Sequence, residues 1–568
     1  MTNYQFTGGT ICAPATIPGT GAISIIRVSG KEALAIADKV IDTKGVPIAE
    51  TEGYRLRYGT VFEADGSVLD NVIVSVFRAP HSYTGENSVE ISCHASRFIV
   101  NKILELLVNA GARIAAPGEF TRRTFVNGKM DLAQAEAVAD VIASQSAASH
   151  RVAMNQLKGG FSSELKVLRE KLLTMTSLLE LELDFSEEDV EFASRKELGQ
   201  LVDDSLAHIR RLTASFSRGN AIKNGVPVAI VGATNTGKST LLNALLGEER
   251  AIVSDIAGTT RDTIEETLNI DGILFRFIDT AGIRETDETI EKIGIDRTFK
   301  KLGEAAVVLG MTDLSRGEAS VLEDADFILS KVNEIGGVKN VGTENDGSET
   351  GGAPLAGTDG ASLAETGGTS LAETGGTSLA ETGGASLAET DGTSQHGHGA
   401  GQERKVVILV NKCDVAGDFY RDDNGTGYCS GNELGKNLAE IGGNKNVTHN
   451  NNIVSLIENK YDNCKVIAIS AKTGKGLSTL TKTLGEIGSE ITGSTDETLV
   501  TNVRHYEALV RAASALERVR AGLHIATLPP DLIAQDLREA LYHLGEIVGE
   551  ISTDETLGNI FRNFCIGK

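Results

Sequence analysis

Apolar residues recur with two different periods along the chain, and the change of period divides it. Up to Pro117 they fall in short β-branched runs, "GAISIIRVSG", "NVIVSVFRAP" and "NSVEISCHAS", each bounded by Gly, Pro or Asn. Such runs predict strands separated by turns. With a helix expected at 97–110, this stretch reads as a mixed α/β domain. From Asp131 the period becomes helical. Leu132, Ala135, Ala139 and Ile142 fall on one face, and Leu165, Leu168, Leu172, Met175 and Leu179 make a longer stripe. Ser194 and Glu197 have capping-box spacing and predict another helix start. Near the C-terminus Leu537, Leu541, Leu544, Val548 and Ile551 resume the stripe. Helical segments therefore flank residues 225–490, which predicts a central domain inserted into one helical bundle.

Two stretches of the central part break both periods. Residues 359–390 repeat an eight-residue unit, "DGASLAET", "GGTSLAET", "GGTSLAET", "GGASLAET". Solenoid repeats run to about 20 residues or more, and this Gly/Ser/Thr-rich unit buries too little side chain to offset its ordering entropy. Disorder is expected over 336–403, and an Asn/Gly-rich loop insertion over 416–452.

Length and composition narrow the class. The 568 residues correspond to three or four domains at about 150 residues each. A 40% hydrophobic content and mean hydropathy of −0.07 suit a soluble protein with real cores. No apolar run reaches membrane-spanning length, so no membrane is expected. The opening "MTNYQFTGGTICAPATIPG" lacks the pattern of a secretory signal. Six cysteines without a C-x-x-C indicate neither a disulfide framework nor a zinc site, and a cytoplasmic location is expected. Net charge of −24 argues against non-specific clinging to nucleic acid, which depends on phosphate neutralisation by Lys and Arg. A nucleic-acid partner would require a local basic patch.

The chemistry is concentrated in the centre. "VAIVGATNTGKSTLLNALLG" is an apolar strand, a glycine loop and a helix, with Gly232, Gly237, Lys238 and Ser239 at P-loop spacing. Such a loop turns backbone amides onto phosphate oxygens at a helix N-terminus. Asn235, Thr236, Gly237, Lys238, Ser239 and Thr240 are the expected phosphate contacts, with Lys238 on the β and γ oxygens and Ser239 on Mg²⁺. "VVILVNKCD" ends a buried strand with Asn411, Lys412, Cys413 and Asp414, whose carboxylate can accept from guanine N1–H and the 2-amino group together. "VIAISAK" ends another with Ser470, Ala471 and Lys472, placed to reach the base from its other side. Between the P-loop and the strand "ILFRFID", "SDIAGTTRD" contributes Ser254, Asp255, Ile256, Ala257, Gly258, Thr259 and Thr260, the last a candidate second Mg²⁺ ligand. Asp279 ends "ILFRFID", and Thr280, Ala281 and Gly282 follow it toward the γ-phosphate. Five elements in this order predict a doubly wound G domain that binds GTP. Where many such proteins place a water-orienting glutamine after Asp-x-x-Gly, this chain has Ile283. A transition-state partner of that kind is worth about 10³ to 10⁵ in rate, so a substitute is required.

The set "GATNTGKSTLLNALLG", "SDIAGTTRD", "DTAGIRETDETIEKIGI", "NKCD" and "SAK" resembles the tRNA-modifying GTPases of the MnmE (TrmE) family. So do "TICAPATIPGTGAISIIRVSG", "SYTGE", "APGEFTRRTFVNGKMDLAQAEAVADVI", "LELELDFSEEDVEF" and "NIFRNFCIGK", so the likeness covers nearly the whole chain outside the two insertions. It implies a multidomain α/β architecture. An N-terminal α+β tetrahydrofolate-binding-like domain (1–128) would be followed by an all-α helical bundle in two parts (129–224 and 491–568) with the G domain (225–490) inserted. It also implies a K⁺-dependent GTPase activated by dimerisation, with K⁺ held by Asn235, Ser254, Ile256 and Thr259, and with Glu291 as the catalytic residue orienting the water indirectly. The N-terminal domain would homodimerise and hold 5-formyltetrahydrofolate or a related tetrahydrofolate through Arg27, Glu90 and Lys129, with Lys568 contributing from the C-terminus. Basic groups suit the folate's glutamate tail and a carboxylate suits the pterin N–H donors. At 93–96 the chain has Cys-His-Ala-Ser where the family commonly has Gly-His-Gly-Gly, which predicts crowding of the pterin. Cys565 is a candidate for a supporting or catalytic role, with no base near it in sequence.

The function so implied is GTP-driven addition of an aminomethyl or carboxymethylaminomethyl group at C5 of the tRNA wobble uridine, with the flavoprotein MnmG as partner. Two rivals share parts of the pattern. An Era-like ribosome-assembly switch has every G-domain motif but neither a folate-like domain nor a terminal "CIGK". A folate-dependent aminomethyltransferase with an incidental GTPase would keep its activity without residues 225–490.

Overall fold

The computed structural model describes residues 8–184, 195–249, 266–278, 303–334, 404–414, 419–421, 427–429, 453–461, 464–493, 497–523, 530–562, 564 and 567. The N-terminal strands are β1 (Ile11–Pro14), β2 (Ile23–Ser29), β3 (Ile41–Asp42), β4 (Arg55–Phe62), β5 (Val68–Phe77), β6 (Ser88–His94) and β7 (Arg113–Ile114). They form one sheet in the order β3-β4-β5-β6-β2-β1-β7, antiparallel except for β1 with β7. Alternation does its ordinary work here. Val72, Val74 and Val76 of β5 point into a core closed by Ile36 and Ala37 of one helix and Ile103 and Leu107 of another. That second helix runs Arg97–Asn109. On the opposite face Leu56, Tyr58 and Ile73 are exposed, with Tyr58 directly across from Ile73.

Helices Leu132–Ala143, Ala147–Leu157, Gly160–Asp184 and Arg195–Asn224 follow. Their apolar stripes are completed by helices Val503–Leu523 and Pro530–Val548. Leu165, Leu168, Leu172 and Leu179 share one buried cluster with Leu509, Leu516, Leu537, Leu541 and Leu544. Segments on either side of the central region thus close a single core. Leu132 and Ala135 pack instead in a separate cluster with Leu557 and Phe561, and two further expected positions are exposed. Ile142 lies on the last turn of its helix and is 48% exposed. Ile551 is 37% exposed because its helix stops at Val548. Gly549 there takes φ +84, and a Cβ on it would press into Phe125 and Leu132, so a left-handed glycine ends the helix against its neighbours.

The central strands are β8 (Val226–Gly232), β9 (Glu266–Ile270), β10 (Ile273–Ile278), β11 (Val307–Asp313), β12 (Lys405–Asn411), a short hairpin of β13 (Phe419–Arg421) with β14 (Gly427–Cys429), and β15 (Cys464–Ala468). The main sheet runs β15-β12-β11-β8-β10-β9, parallel except for the β10–β9 pair. Strands β8, β11 and β12 at its centre are buried nearly throughout, as a parallel sheet between helical layers requires. Helices Lys238–Glu249 and Leu477–Thr492 cover one side, and Glu318–Glu334 and Ile453–Lys460 the other. The hairpin belongs to the expected 416–452 insertion; the rest of that insertion, and 336–403, lie outside the described residues. Among the described residues no helix is long and apolar enough to cross a membrane.

Candidate functional site

In a doubly wound sheet, ligands lie beyond the carboxyl ends of the strands, and three of the sequence motifs meet there. β8 runs into the loop Gly232–Gly237, and Lys238 opens the following helix. Thr236 is fully buried and its hydroxyl donates to the Ala233 carbonyl at 2.9 Å, pinning the loop. Gly237 has φ +98, and a Cβ there would collide with the Asn411 side chain, so only glycine lets the loop and β12 approach this closely. Asn235 stands exposed at the loop tip with φ +62, a conformation asparagine tolerates. The Lys238 ammonium reaches back to the carbonyls of Gly232 at 2.9 Å and Ala233 at 2.8 Å. Burial holds its pKa below the ordinary lysine value. Ser239 and Thr240 occupy the first turn of the helix.

Asn411 ties the parts together. Its Nδ2 donates to the Thr236 carbonyl at 2.7 Å, and its Oδ1 accepts from the Ala471 amide at 3.0 Å. One buried side chain therefore fixes the distance between the phosphate loop and the Ser470–Lys472 turn. Ser470 donates to Asp414 Oδ1 at 2.7 Å, which orients that carboxylate from the opposite wall. Cys413 is buried beneath, and Lys472 is exposed.

One member of the site went unnoticed in the sequence. Asp313 ends β11 directly across from Asn411 in the parallel register. Its Oδ2 accepts from Lys412 Nζ at 2.7 Å, and its Oδ1 accepts from the Ser315 amide and hydroxyl. Burial would raise this carboxyl, but the bonds from Lys412 and Ser315 outweigh it and hold it below the ordinary range. Lys412 itself sits at φ +63, an uncommon conformation for a lysine. The available signal was an apolar strand, "VVLGMTD", ending in an acid beside the strand that ends in Asn-Lys.

The expected residues Ser254, Asp255, Ile256, Ala257, Gly258, Thr259 and Thr260, then Asp279, Thr280, Ala281 and Gly282, and Glu291, all lie outside the described residues.

Residues 132–565 match the family described as MnmE helical domain, and residues 10–129 match that described as GTP-binding protein TrmE N-terminus. A protein of Parabacteroides distasonis named "tRNA modification GTPase MnmE" is 43% identical over 562 residues, spanning 98% of this chain and 100% of its own. Proteins of the same name from Bacteroides thetaiotaomicron and Porphyromonas gingivalis are 42% and 41% identical, the latter covering 100% of this chain and 99% of its own. The chain belongs to the MnmE family of tRNA modification GTPases.

Three of the residues that MnmE resemblance assigns to folate lie around the N-terminal sheet. Arg27 on β2 and Glu90 on β6 are register partners, and Arg27 gives Nε and Nη2 to Glu90 Oε1 at 2.9 and 2.8 Å. Nη1 donates to the Gly567 carbonyl at 3.3 Å, and the guanidinium lies over the rings of Tyr83 and Phe120. Arg27 is thus spent on protein groups, whereas Glu90 Oε2 accepts no bond among the described residues. That oxygen fits an N–H donor such as a pterin edge. Lys129 donates to the carbonyls of Pro80 and Ser82, at 2.9 and 3.1 Å. Beneath lies Arg123, only 2% exposed, held by Glu86, Glu119 and the Gly9 carbonyl. The expected crowding at 93–96 takes a different form. Cys93 points into the core, where burial pushes its thiol up to about 11, and His94 is turned to solvent against Asp70. Cys565 and Lys568 lie outside the described residues, but Gly567 brings the C-terminus against Pro14 and Arg27.

Proposed function

We propose that this chain hydrolyses GTP and uses the cycle to add an aminomethyl or carboxymethylaminomethyl group at C5 of the tRNA wobble uridine, with the flavoprotein MnmG as partner. The observation that supports the reading is the Asn411 tie, which joins the Gly232–Gly237 loop to the Ser470–Lys472 turn, where Ser470 in turn donates to Asp414. Relatives named for tRNA modification along the whole chain supply the substrate class.

In this reading Lys238 and the loop amides hold the phosphates and Asp414 selects guanine. Mg²⁺, held by Ser239 and Thr260, would neutralise phosphate charge. K⁺, held by Asn235 with Ser254, Ile256 and Thr259, would supply the positive charge that an arginine finger supplies elsewhere. Glu291 takes the place of the missing glutamine. The exposed loop-tip position of Asn235 suits a side-chain ligand for such an ion. A tetrahydrofolate would bring the one-carbon unit to the N-terminal sheet, met by Glu90, Lys129 and Lys568. Arg27 aligns Glu90 and anchors the chain end. The exposed Leu56, Tyr58 and Ile73 face supports homodimerisation through that sheet. The assembly would work in the cytoplasm.

Mass spectrometry of wobble uridines in tRNA from cells lacking this protein tests the reading. Unmodified uridine is the expected result. Normally modified uridine would overturn it in favour of a GTPase switch that modifies nothing.

A further inference from the structure

Two segments, "SYTGE" at 82–86 and "GEFTRRTFVNGK" at 118–129, meet beside β1, and Arg123 is the side chain that joins them. Arg123 lies on helix Glu119–Val126. Its Nη1 donates to both Glu86 carboxylate oxygens, at 2.9 and 3.2 Å. Its Nη2 donates to the Gly9 carbonyl at 2.8 Å and to Glu119 Oε1 at 3.0 Å. Glu119 is held in turn by Arg113 and by the Ala116 amide. The Arg123 and Glu119 side chains are only 2% and 6% exposed. Charges paired at such depth add little net stability, because desolvation offsets their attraction. What they fix is geometry, since a planar guanidinium holds its acceptors at set angles.

That geometry passes to Lys129. The Glu86 carbonyl accepts from Ser82 Oγ at 2.5 Å. The Ser82 carbonyl accepts from Lys129 Nζ, with the Pro80 carbonyl as second acceptor. Gly85 has φ +80, and a Cβ there would stand 3.3 and 3.5 Å from Lys129 Cδ and Cγ, so the loop lies along the lysine stem as well as at its end. Lys129 is exposed, and the two carbonyls take two of its three N–H donors, which leaves one for an anion. The aromatic member of the loop is held separately. Tyr83 pairs its hydroxyl with Thr121 at 2.9 Å, and its carbonyl accepts from Thr124 at 3.1 Å. Arg123 therefore bears on Lys129 more than on Arg27, which lies over the Tyr83 ring.

We propose that Arg123, acting through Glu86, is a positioning residue that sets the Lys129 ammonium against the glutamate tail of a tetrahydrofolate, a step that rests on the reading that the N-terminal domain binds a folate. A lysine stem already held by a loop loses less rotamer freedom when it meets a carboxylate, so the cradle strengthens that contact. Arg123 itself is too deeply buried to touch the ligand.

The test is calorimetric titration of the full-length protein with 5-formyltetrahydrofolate and with a tetrahydropterin that lacks the benzoyl-glutamate tail. R123K keeps the charge and loses the fork. It is expected to bind the tailed folate about tenfold more weakly, the worth of one charge-assisted hydrogen bond, and to bind the tailless pterin as the wild type does. In a K129A background the same substitution is expected to add nothing further. E86Q keeps the shape of the Arg123 acceptor without its charge and is expected to repeat the pattern, which decides the matter should R123K fail to fold. Equal weakening toward both ligands would make Arg123 a structural residue and overturn the proposal. So would wild-type affinity for the tailed folate in both variants, or additive losses in R123K/K129A. With tight folate binding by the wild type, any of these results leaves the folate reading standing. A wild type that binds neither ligand would overturn that reading and the role of Arg123 together.

Discussion

Lys412 holds a left-handed backbone and an ammonium fixed by Asp313, and both features serve one placement. A lysine on a flexible stem recognises nothing until a neighbour orders it. D313N is expected to weaken guanine-nucleotide affinity about fivefold, corresponding to about 1 kcal/mol for a charged hydrogen bond discounted for exposure. Fluorescence titration with a labelled nucleotide checks it, and wild-type affinity would leave Asp313 as an acceptor for the Ser315 turn and nothing more. Because the Asp313 carboxyl is held below its ordinary value of 3.8, its ionised form is present throughout the neutral range. Its contribution is lost only as pH falls below that value. At Gly237 the demand is steric. G237A is expected to abolish nucleotide binding while the protein stays folded, since a Cβ at φ +98 displaces Asn411 from the Thr236 carbonyl.

At the scale of elements, the two halves of the helical core are locked by one buried polar group. Glu136, on the helix after the N-terminal sheet, accepts two bonds from Arg504 at 3.0 Å and one contact from the fully buried His505 at 2.7 Å. Arg504 also caps the end of helix Pro530–Val548 through the carbonyls of Glu546 and Ile547. Burial would raise the Glu136 carboxyl, but His505 and Arg504 hold it at about 2. Burial keeps His505 below its ordinary value. A depressed carboxylate stabilises the fold above its unfolded value of 4.5, and that contribution drains away as pH falls from 4.5 toward about 2. E136A leaves Arg504 without its carboxylate and is expected to cost about 3 kcal/mol, read as an earlier urea midpoint of the helical signal. An unchanged midpoint would mean that solvent replaces the carboxylate at no cost.

At the scale of the molecule, hydrolysis is expected to need more than one chain and one ion. Exchange of K⁺ for Na⁺ should slow GTP turnover sharply while nucleotide binding survives; equal rates in the two salts would remove the cation role given to Asn235. E291A should bind GTP and turn over poorly. Normal turnover in that variant would return the missing glutamine to an open question.

Local rules carried much of this architecture. β-branched runs closed by turn residues became strands, the expected 97–110 helix spans Arg97–Asn109, and the leucine stripes became one core, because a helix or strand shows its buried face in its own period. The stripes misled at their ends, at Ile142 and Ile551. Where a helix stops, or runs past its neighbour, depends on what packs against it, as Gly549 does on Phe125 and Leu132. The strand-end motifs could be read in order from the sequence, since each is a local turn with fixed residue needs. Partners far apart in sequence could not. Asp313 found Lys412, Glu136 found Arg504, and Arg27 found Glu90 and Gly567, only when sheet register and helix docking brought them together. A charge carries no period along the chain, so tertiary structure alone decides which opposite charge it meets.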